Sequence, residues 1–577
     1  SWQMYANEIY VTLDDPLNKE EVLDHFNKTF DFAKSQMGSA QEIALRLTPL
    51  KDVYYTHDTT FDFNPKGHRE TNYVLLGIAF LILFIAGINF TNLTTSLIPL
   101  RLKTINTHRV LGCSIYKLRA ISLIESIVIC LISYILALFI VNDLSYTPIA
   151  NWVDADIRLS QYKGLILLTA LIAILTGCLA GLYPAIRSSS YAPALVLKGS
   201  FGLSPKGKKL RVALIGFQYT VSIALIIVTL FMGLQNHFMT SSEQLGFNKD
   251  QVAIVNLTPE IYAKHKPQYI QKLKDYPGIE DVAFSVYELS KEDDMIDLEY
   301  ARHEDKDVFF KVFYASENFL SVMDIQVEEG RDFTREDLNK AQSDYIINPA
   351  AERDFHLHPG DRFNDRTVLG VSKDFRFNSC RIASSPFVFT LNNDIPNPKL
   401  VSYIRFNSKT NLQEAVAHVR ETLKEIDPTF PFEISFYNTI LNNLYQKEQT
   451  LGKLISLFGI MAILISIVGV FGLVLFETQY RRKEIGIRKI NGATTGQILL
   501  MFNKTYIRIV SVCFIISIPI AWMGTQQWLE NFAYKTPLHL WVFIVAFLII
   551  LSVTIGTVTF RNWQAANENP VNSVKSE

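Results

Sequence analysis

Seven long segments of this sequence are almost free of charge, and they constrain the fold more than any other feature. They are Tyr73–Leu100, Ala120–Val141, Gly164–Ile186, Val212–Leu234, Leu454–Phe476, Ile507–Trp522 and Leu540–Phe560. Most reach the roughly 20 residues that a helix needs to cross a hydrocarbon core of about 30 Å, and Ile507–Trp522 is the shortest. Helices in soluble cores are usually about 10–14 residues long and keep a polar face, so the pattern predicts seven transmembrane helices.

Lysine and arginine orient these helices. They collect in three alternate links, 101–119, 187–211 and 481–489, and links rich in positive charge stay in the cytoplasm. The other links are mixed or acidic, so the net charge of −1 hides a separation of charge across the membrane. A chain with no excess of positive charge is also a poor nucleic-acid binder, and 49% hydrophobic residues exclude a disordered chain.

This topology places Ser1 outside and Glu577 inside. Residues 1–72 are polar, with neither a starting methionine nor a signal peptide. We therefore expect an N-terminal portion with one further span to precede this sequence. A helix is predicted near Lys19–Lys34, and residues 1–72 resemble the remainder of an extracytoplasmic domain.

The largest outside segment, Gln235–Gly452, is long enough for a folded domain. A helix is predicted at Asn411–Ile426 and a helical stalk at Tyr437–Lys453. Strands are predicted at Val282–Val286, Phe309–Tyr314, Leu400–Phe406 and Phe432–Phe436, and a strand followed by a turn at Thr367–Asp374. Strands that alternate with helices indicate a mixed α/β domain. Cys380 is the one cysteine outside the spans on this side, so no intrachain disulfide is expected.

The sequence contains an internal repeat. Arg101–Gly112 aligns without a gap on Arg481–Gly492, and each segment follows one span and precedes another. The ends of the two halves also match, Ala192–Lys198 with Asn569–Lys575. We therefore predict a tandem duplication of a unit that has one span, an outer domain and three further spans.

The second copy of the repeated segment, Arg481–Phe502, combines dense positive charge with isoleucine and leucine. Gly486 and Gly492 mark places where the backbone bends or approaches closely, and Thr494 or Thr495 could cap the next helix. These features predict a short amphipathic helix, a glycine turn and another helix, which together form a projection that a cytosolic partner could grip. The alternative is a solvated basic flank that sets topology and touches anionic lipid.

The stretch Arg482–Thr494 is similar to the signature of MacB/FtsX-like ABC transporter permeases. Ile88–Thr95, Gly181–Ala185 and Asn569–Ser573 resemble further marks of this family, so the resemblance covers essentially the whole chain. It implies a polytopic α-helical membrane protein with mixed α/β extracytoplasmic domains and two tandem permease repeats. It also implies a location in the bacterial inner membrane, with periplasmic domains.

The resemblance implies a chain that is not itself an enzyme and binds no cofactor or metal. A separate ABC ATP-binding subunit, expected in two copies, would bind ATP and Mg. The implied coupling residues are Arg482, Lys483, Glu484, Ile485, Gly486, Ile487, Arg488, Lys489 and Gly492, with Arg101, Lys103, Arg109 and Gly112 in the first half. There Thr104, Asn106 and Thr107 depart from the signature, so we expect a weaker or different contact with the ATPase.

The expected organisation follows from these spans and from the repeat. It comprises the remainder of the first extracytoplasmic domain (1–72), a three-helix permease unit (73–190), a basic cytoplasmic linker (191–211), a span opening the second repeat (212–235), the second extracytoplasmic domain (236–451), the second three-helix unit (452–562) and a cytoplasmic tail (563–577).

Two functions are open under this resemblance. One is export or extraction of an amphiphilic molecule, such as a peptide, antibiotic or lipoprotein, driven by motion of the outer domains. The other is FtsX-like signalling to a periplasmic cell-wall hydrolase, with nothing transported. A membrane-anchored outer enzyme is a weaker third class. Membrane lipid is an expected partner, and a periplasmic adaptor and an outer-membrane channel would accompany export.

Other motifs in the sequence have ordinary structural explanations. Gly202–Lys209 has P-loop spacing but ends in lysine rather than serine or threonine. The acidic stretch Glu292–Glu299 lacks the glycine and spacing of an EF-hand. His356 and His358 lack further metal ligands that the sequence can place.

Inside the spans, Gly177 and Gly181 predict close helix packing. Asn89 and Asn92 predict hydrogen bonds to other helices, and Glu125 an ion pair near the inside surface.

Overall fold

A computed structural model describes residues 10–15, 18–29, 47–56, 67, 69–147, 150, 158–190, 205–241, 245–290, 297–303, 306–340, 342–376, 378–391 and 400–567. Residues up to Phe80 and those from Leu81 onward form two separate compact units. The first contains α1 (Lys19–Thr29) and α2 (Leu50–Val53). Glutamates in the first turn of α1 and Lys28 in its last complement the helix dipole. The prediction of a helix near Lys19–Lys34 is thus confirmed as far as Thr29, and 30–34 lie outside the described residues.

The first four predicted spans are all helical. They form α3 (Arg69–Val110), α4 (Ile115–Leu144), α5 (Lys163–Ser189) and α6 (Pro205–Thr240), with a 3₁₀ turn at Leu159–Gln161. Among the described residues, seven helices are long and apolar enough to cross a membrane, as predicted. The helix α3 continues beyond its apolar stretch, so the basic residues 101–110 extend the same helix rather than forming a loop.

The outer domain follows α6 and contains the next strands and helices in chain order. They are β1 (Val252–Leu257), α7 (Lys266–Lys274), β2 (Ile279–Ser285), β3 (Asp297–His303), β4 (Lys306–Ala315), α8 (Phe319–Met323), β5 (Val327–Gly330), β6 (Tyr345–Ile347), α9 (Pro349–Phe355), β7 (Arg362–Phe363), β8 (Arg366–Ser372), β9 (Phe387–Leu391), β10 (Leu400–Phe406), α10 (Leu412–Ile426), β11 (Ile434–Phe436) and α11 (Tyr437–Leu444). A π turn at Ile261–His265 precedes α7, and a 3₁₀ turn at Asp337–Asn339 precedes β6. The five predicted strands and the predicted helix are all confirmed.

These strands form one mixed sheet in the order β11–β1–β10–β2–β4–β9–β6–β8–β5, with β3 beside β4 and β7 beside β8. The pairs β4–β9 and β6–β8 are parallel, whereas the other pairs are antiparallel. The junction of β2 with β4 rests on the single residue pair Ser285 and Ala315. The sheet therefore consists of two lobes that are joined at one narrow point, a first lobe of β11, β1, β10 and β2 and a second lobe of the remaining strands.

Helices α7 and α10 bury their apolar faces against the first lobe. In α10, Ala415, Val419 and Leu423 recur at four-residue intervals and are fully buried. The side chain of Asn411 caps this helix by accepting a hydrogen bond from the Gln413 amide, at 3.2 Å. Burying these apolar side chains supplies the main stabilisation of the lobe.

The second half of the membrane region comprises α12 (Gln446–Tyr480), α13 (Arg482–Ile490), α14 (Thr495–Leu529) and α15 (Leu540–Ala566). The predicted span Ile507–Trp522 was too short, because polar residues near the start of α14 interrupt the apolar run but not the helix. One of them, Asn503, donates a hydrogen bond to the Thr559 hydroxyl at 2.9 Å. The predicted stalk Tyr437–Lys453 is helical but interrupted at Tyr445, whose φ of −106° and ψ of 14° separate α11 from α12.

The second half packs closely around α6. In the apolar stretch of Val212–Thr240, 50% of the residues are buried inside the protein. In the apolar stretch of Ile115–Leu144, in the first half, only 6% are buried. The Ser222 hydroxyl meets the Ser466 hydroxyl at 2.9 Å, and Tyr219 meets Thr554 at 3.0 Å. Hydrogen bonds between hydroxyl side chains thus hold α6 against α12 and α15 inside the membrane.

Candidate functional site: two glycine-capped turns on the cytoplasmic side

We call the two repeated segments, Arg101–Gly112 and Arg481–Gly492, the first and second coupling segments. The second begins at a kink below α12. Arg481 has φ −94° and ψ 10°, and it separates α12 from the short helix α13. Its guanidinium pairs with Glu477 at 3.0 Å and lies 5.7 Å from the ring of Phe502 on α14. The Tyr506 hydroxyl also donates to Glu477, at 3.3 Å. The base of α13 is therefore held between α12 and α14.

The helix α13 has one buried and one exposed face. Ile485 and Gly486 point inward, where Ile485 joins the apolar core of the bundle. Ile487 and Ile490 lie on the opposite face of α13 and are 53% and 65% exposed. Glu484 and Arg488 form an exposed ion pair of 2.8 Å along the helix. For Arg482 and Lys483 only the backbone lies within the described part.

The two halves end this segment with the same backbone turn. Gly492 and Gly112 adopt positive φ values of 87° and 89°, which L side chains rarely take. Gly492 N–H donates to the Lys489 carbonyl at 3.0 Å and Ala493 N–H to the Arg488 carbonyl at 2.9 Å. In the first half, Gly112 N–H and Cys113 N–H make the equivalent bonds to the carbonyls of Arg109 and His108, at 3.0 and 2.9 Å. Both are Schellman caps, which satisfy the last carbonyls of a helix.

A side-chain cap then starts the next helix in both halves. Thr494 accepts from the Gln497 amide at 3.3 Å, while Gln497 Oε1 accepts from the Thr494 amide at 3.1 Å, so the two form a capping box. Of the two threonines that the sequence offered, Thr494 is the cap. Ser114 caps α4 in the same way by accepting from the Lys117 amide at 3.4 Å. The sequence reasoning missed Ser114, although the gap-free repeat places it opposite Thr494.

The first coupling segment is held by different contacts. Because α3 is unbroken, the turn at Gly112 ends a helix of 42 residues. Arg109 donates to the Ser189 carbonyl at 3.3 Å, and Arg119 donates to the Ser189 hydroxyl at 2.9 Å. Ser189, at the end of α5, is a positioning residue that the sequence did not indicate.

The coupling residues predicted for this segment also include Arg101 and Lys103. Arg101 pairs with Glu125 at 2.8 Å, so the predicted ion pair of Glu125 is confirmed. Only the backbone of Lys103 is described. Asn106, which replaces the glycine of the signature, is buried. Three exposed apolar residues, Val110, Leu111 and Tyr116, lie at this turn.

Glycines and amides inside the membrane connect the helices that carry these turns. A Cβ on Gly181 would lie 2.5 Å from the Ser126 hydroxyl, and one on Gly177 would lie 3.0 Å from the Ile127 Cα, so α5 approaches α4 closely at both glycines. Asn89 on α3 donates to the Ile465 carbonyl on α12 at 2.6 Å, which joins the two halves. The Asn92 Nδ2 is buried without a hydrogen-bond partner among the described residues, so no bond to another helix supports the prediction for this amide.

The remaining motifs are not part of these turns. His358 lies 3.5 Å from Glu352, and one ligand atom each of Glu329, Glu352 and His358 lie within 4.8 Å of one another. The sequence could not place these carboxylates, and His356 is outside the group. Gly202–Ser204, Glu292–Ile296 and both end motifs, Ala192–Lys198 and Asn569–Lys575, fall outside the described residues.

Comparison with known proteins agrees with this duplicated arrangement. The family described as FtsX-like permease C-terminal matches the chain twice, at residues 76–193 and 456–570. Each match includes one glycine-capped turn. The chain therefore contains two copies of the same permease domain.

Curated relatives include two proteins named macrolide export ATP-binding/permease protein MacB. The protein from Aggregatibacter actinomycetemcomitans is 25% identical over 212 residues, which covers 34% of this chain and 32% of that protein. The protein from Neisseria gonorrhoeae is 26% identical over 223 residues, or 36% of this chain and 34% of that protein. The chain thus matches about a third of the length of these relatives.

Two of the solved structures with similarity to this chain are those of outer domains. The periplasmic region of MacB from Actinobacillus actinomycetemcomitans has a TM-score of 0.26 and 14% identity, covering 34% of this chain and 94% of that one. The extracellular domain of the noncanonic ABC-type transporter YknZ from Gram-positive bacteria has a TM-score of 0.24 and 15% identity, covering 32% and 99%. With its two FtsX-like permease domains and, in the described part of the chain, seven helices long and apolar enough to cross a membrane, the chain is a MacB/FtsX-like permease and a multi-pass membrane protein.

Proposed function

We propose that the chain is the permease subunit of an ABC transporter of the mechanotransmission type. In this mechanism a separate ATP-binding subunit hydrolyses ATP, and the resulting motion passes through the membrane helices to the periplasmic domains. The observation that carries the proposal is the pair of glycine-capped turns, one in each half. Each presents exposed apolar side chains at the basic end of the membrane helices, and in the second half the ion pair Glu484–Arg488 lies beside them.

An exposed apolar patch with a charged rim is the usual composition of a protein interface. In the second half Ile487 and Ile490 supply the patch, and Glu484 and Arg488 the charges. In the first half Val110, Leu111 and Tyr116 supply the patch. We therefore assign one ATP-binding subunit to each turn, so that two copies, each with its own ATP and Mg, would act on one permease chain.

Long helices connect the second turn to the outer domain. The helix α12 has 35 residues and α6 has 36, so each is more than 50 Å long at ~1.5 Å per residue, against a hydrocarbon core of about 30 Å. Both helices meet the outer domain, which lies between them in the chain. A displacement of α13 would thus reach the outer domain along α12.

The cargo that we propose is an amphiphilic molecule taken from the outer side, such as a peptide, antibiotic or lipoprotein. Polar groups between the described spans, including Asn89, Ser222 and Ser466, bond to neighbouring helices rather than forming a charged row. Membrane lipid, a periplasmic adaptor and an outer-membrane channel are proposed partners. In a deletion strain, loss of resistance or accumulation of substrate would support transport, whereas a defect in cell-wall separation would support signalling to a hydrolase.

The docking step is tested with the double variant Glu484→Arg/Arg488→Glu. This exchange keeps an ion pair along α13 but inverts the charges that a partner meets. We expect recovery of the ATP-binding subunit with the affinity-purified permease to fall about tenfold or more. The matched control is Glu260→Lys/Lys264→Glu, which exchanges an exposed pair with the same spacing in the outer domain.

Undiminished recovery and undiminished coupled ATPase activity in the Glu484/Arg488 variant would refute the assignment of α13. Equal losses in the control would show instead that the exchange acts on folding.

A further inference from the structure

One tyrosine in the short link between α14 and α15 contacts both the outer domain and α6. Tyr534 N–H donates to the Cys380 carbonyl at 3.1 Å, and its hydroxyl accepts from the Ser384 amide at 3.1 Å. Its carbonyl accepts from Gln235 on α6 at 3.0 Å. The guanidinium of Arg376 lies 4.1 Å from the centre of its ring. Backbone, hydroxyl and ring of this residue are therefore all engaged.

An ion pair joins the same outer-domain segment to α12. Arg381 donates to Glu448 at 2.7 Å, and the Glu448 side chain is only 8% exposed. The guanidinium of Arg381 also lies 4.8 Å from the ring of Phe532 in the link. Arg381 thus contacts α12 and the link at once.

A small apolar cluster seals this junction from water. Met239 of α6, Cys380, Tyr445 and Phe532 are buried against one another. The Tyr445 hydroxyl accepts from the Cys380 amide at 3.2 Å. Burial raises the pKa of the Cys380 thiol, as expected for a sulfur enclosed by apolar side chains.

We propose that Tyr534, Arg381 and Glu448 are positioning residues of a clamp that makes the outer domain, the α14–α15 link and the outer ends of α6 and α12 one rigid body. The outer domain joins the membrane region covalently at α6 and at α12. An outer domain that is held at only two points can still rotate about the line between them. A third contact away from that line prevents this rotation.

The clamp extends the proposed function, and its role in transmitting movement to the outer domain rests on that function. If α13 moves α12, the clamp requires the outer domain to follow that movement together with α14 and α15. A domain free to swing about its two connections would instead dissipate the displacement. The test below reads only the permease chain, so it can fail or succeed independently of ATPase docking.

The physical basis of the test is the cost of an unpaired buried charge. Removing one partner of a buried ion pair is strongly unfavourable, whereas replacing both partners by apolar side chains is often neutral. Arg381→Met leaves Glu448 buried and unpaired. Arg381→Met/Glu448→Met removes that charge and keeps side chains of similar length.

Amide hydrogen exchange would be measured by mass spectrometry on the full chain in lipid nanodiscs. We expect Arg381→Met to accelerate exchange about tenfold in residues 530–539, which carry no substitution, as well as in 378–385. The double variant should restore slow exchange in 530–539. Acceleration confined to 378–385 would overturn the proposal, because the link would then move independently of the outer domain.

A second variant covers the case in which Arg381→Met loses protection throughout the chain. Tyr534→Phe removes only the hydroxyl that accepts from Ser384, so exchange of the Ser384 amide should accelerate about fivefold. Unchanged exchange at Ser384 would overturn the clamp. The controls are Arg353→Met, which breaks an exposed pair with Asp354, and Tyr300→Phe at an exposed tyrosine. Neither should alter 378–385 or 530–539.

Discussion

The two coupling segments share a backbone but not a surface. Both end a helix with a glycine at positive φ and a Schellman cap, and both start the next helix with a hydroxyl cap. The second segment is a separate short helix below the kink at Arg481, with the ion pair Glu484–Arg488 on its exposed side. The first continues α3 without a break, and its Arg109 bonds to Ser189 of α5, as does Arg119 of α4.

This difference separates what the turn requires from what a partner requires. The turn needs glycine and a hydroxyl cap for reasons of backbone geometry alone, and both halves have them. The exposed face has no such backbone constraint, and there the halves differ in charge and in apolar side chains. We infer that each half meets its ATP-binding subunit in the same orientation but with unequal strength.

The largest expected effect on ATPase binding concerns the exposed apolar patches, where equivalent substitutions in the two halves should have unequal effects. Ile490→Asp places a charge at the centre of the second patch and should weaken ATPase binding about thirtyfold, or about 2 kcal/mol, as for an interface hot spot. The equivalent Val110→Asp should cost about fivefold, because the first surface departs from the signature. Binding of the purified ATPase to the permease in nanodiscs would be measured by interferometry and fitted to two sites.

The control for this pair is Leu412→Asp, at a leucine of the outer domain that is 37% exposed. It should leave both affinities unchanged. Equal losses for Ile490→Asp and Val110→Asp would mean that the two surfaces are equivalent, contrary to the inference above.

A smaller effect, equal in the two halves, is expected at the glycines. A Cβ on Gly492 or Gly112 would meet nothing within 4 Å, so the cost of alanine is the left-handed backbone alone, about 1–2 kcal/mol. Gly492→Ala and Gly112→Ala should therefore accelerate exchange of the amides at Ala493 and Cys113 by similar factors. Gly496→Ala is the control, because Gly496 lies in a helix with ordinary φ and a Cβ there would make only an ordinary contact, 3.9 Å from the Thr494 hydroxyl. A clear difference between the two variants would show that the turns are not equivalent.

The smallest effect concerns the caps. Thr494→Ala and Ser114→Ala should each cost about 1 kcal/mol, and Thr494 should cost a few tenths more because it also positions Gln497. Exchange of the Gln497 and Lys117 amides reports the two losses. Thr495→Ala, one residue later, should have little effect. A larger loss at Thr495 than at Thr494 would contradict the assignment of the cap.

The parts of the fold that sequence reasoning predicted are those with a local signal. Leu400–Phe406 is rich in β-branched and aromatic residues and is bounded by polar residues, and the strand β10 has the same limits. The length of α14 was underestimated because hydropathy follows the membrane, whereas a helix continues wherever its backbone bonds allow. The break at Tyr445 has no local signal, since it depends on burial of that ring against Cys380 and Phe532.

The coupling segments show the same limit. The repeat located both turns, and the type of cap followed from threonine and glycine. Their supports did not follow, because Arg109 with Ser189 and Arg481 with Phe502 are contacts between separate helices. The pair Arg381–Glu448 joins residues 67 positions apart, which no window of sequence can relate.

The central claim is that one chain carries two docking turns and therefore holds two ATP-binding subunits. Native mass spectrometry of the active complex, purified in detergent with its ATPase, tests this claim most directly. The predicted result is a mass equal to one permease chain plus two ATPase subunits. A complex with two permease chains for each pair of ATPase subunits would contradict it.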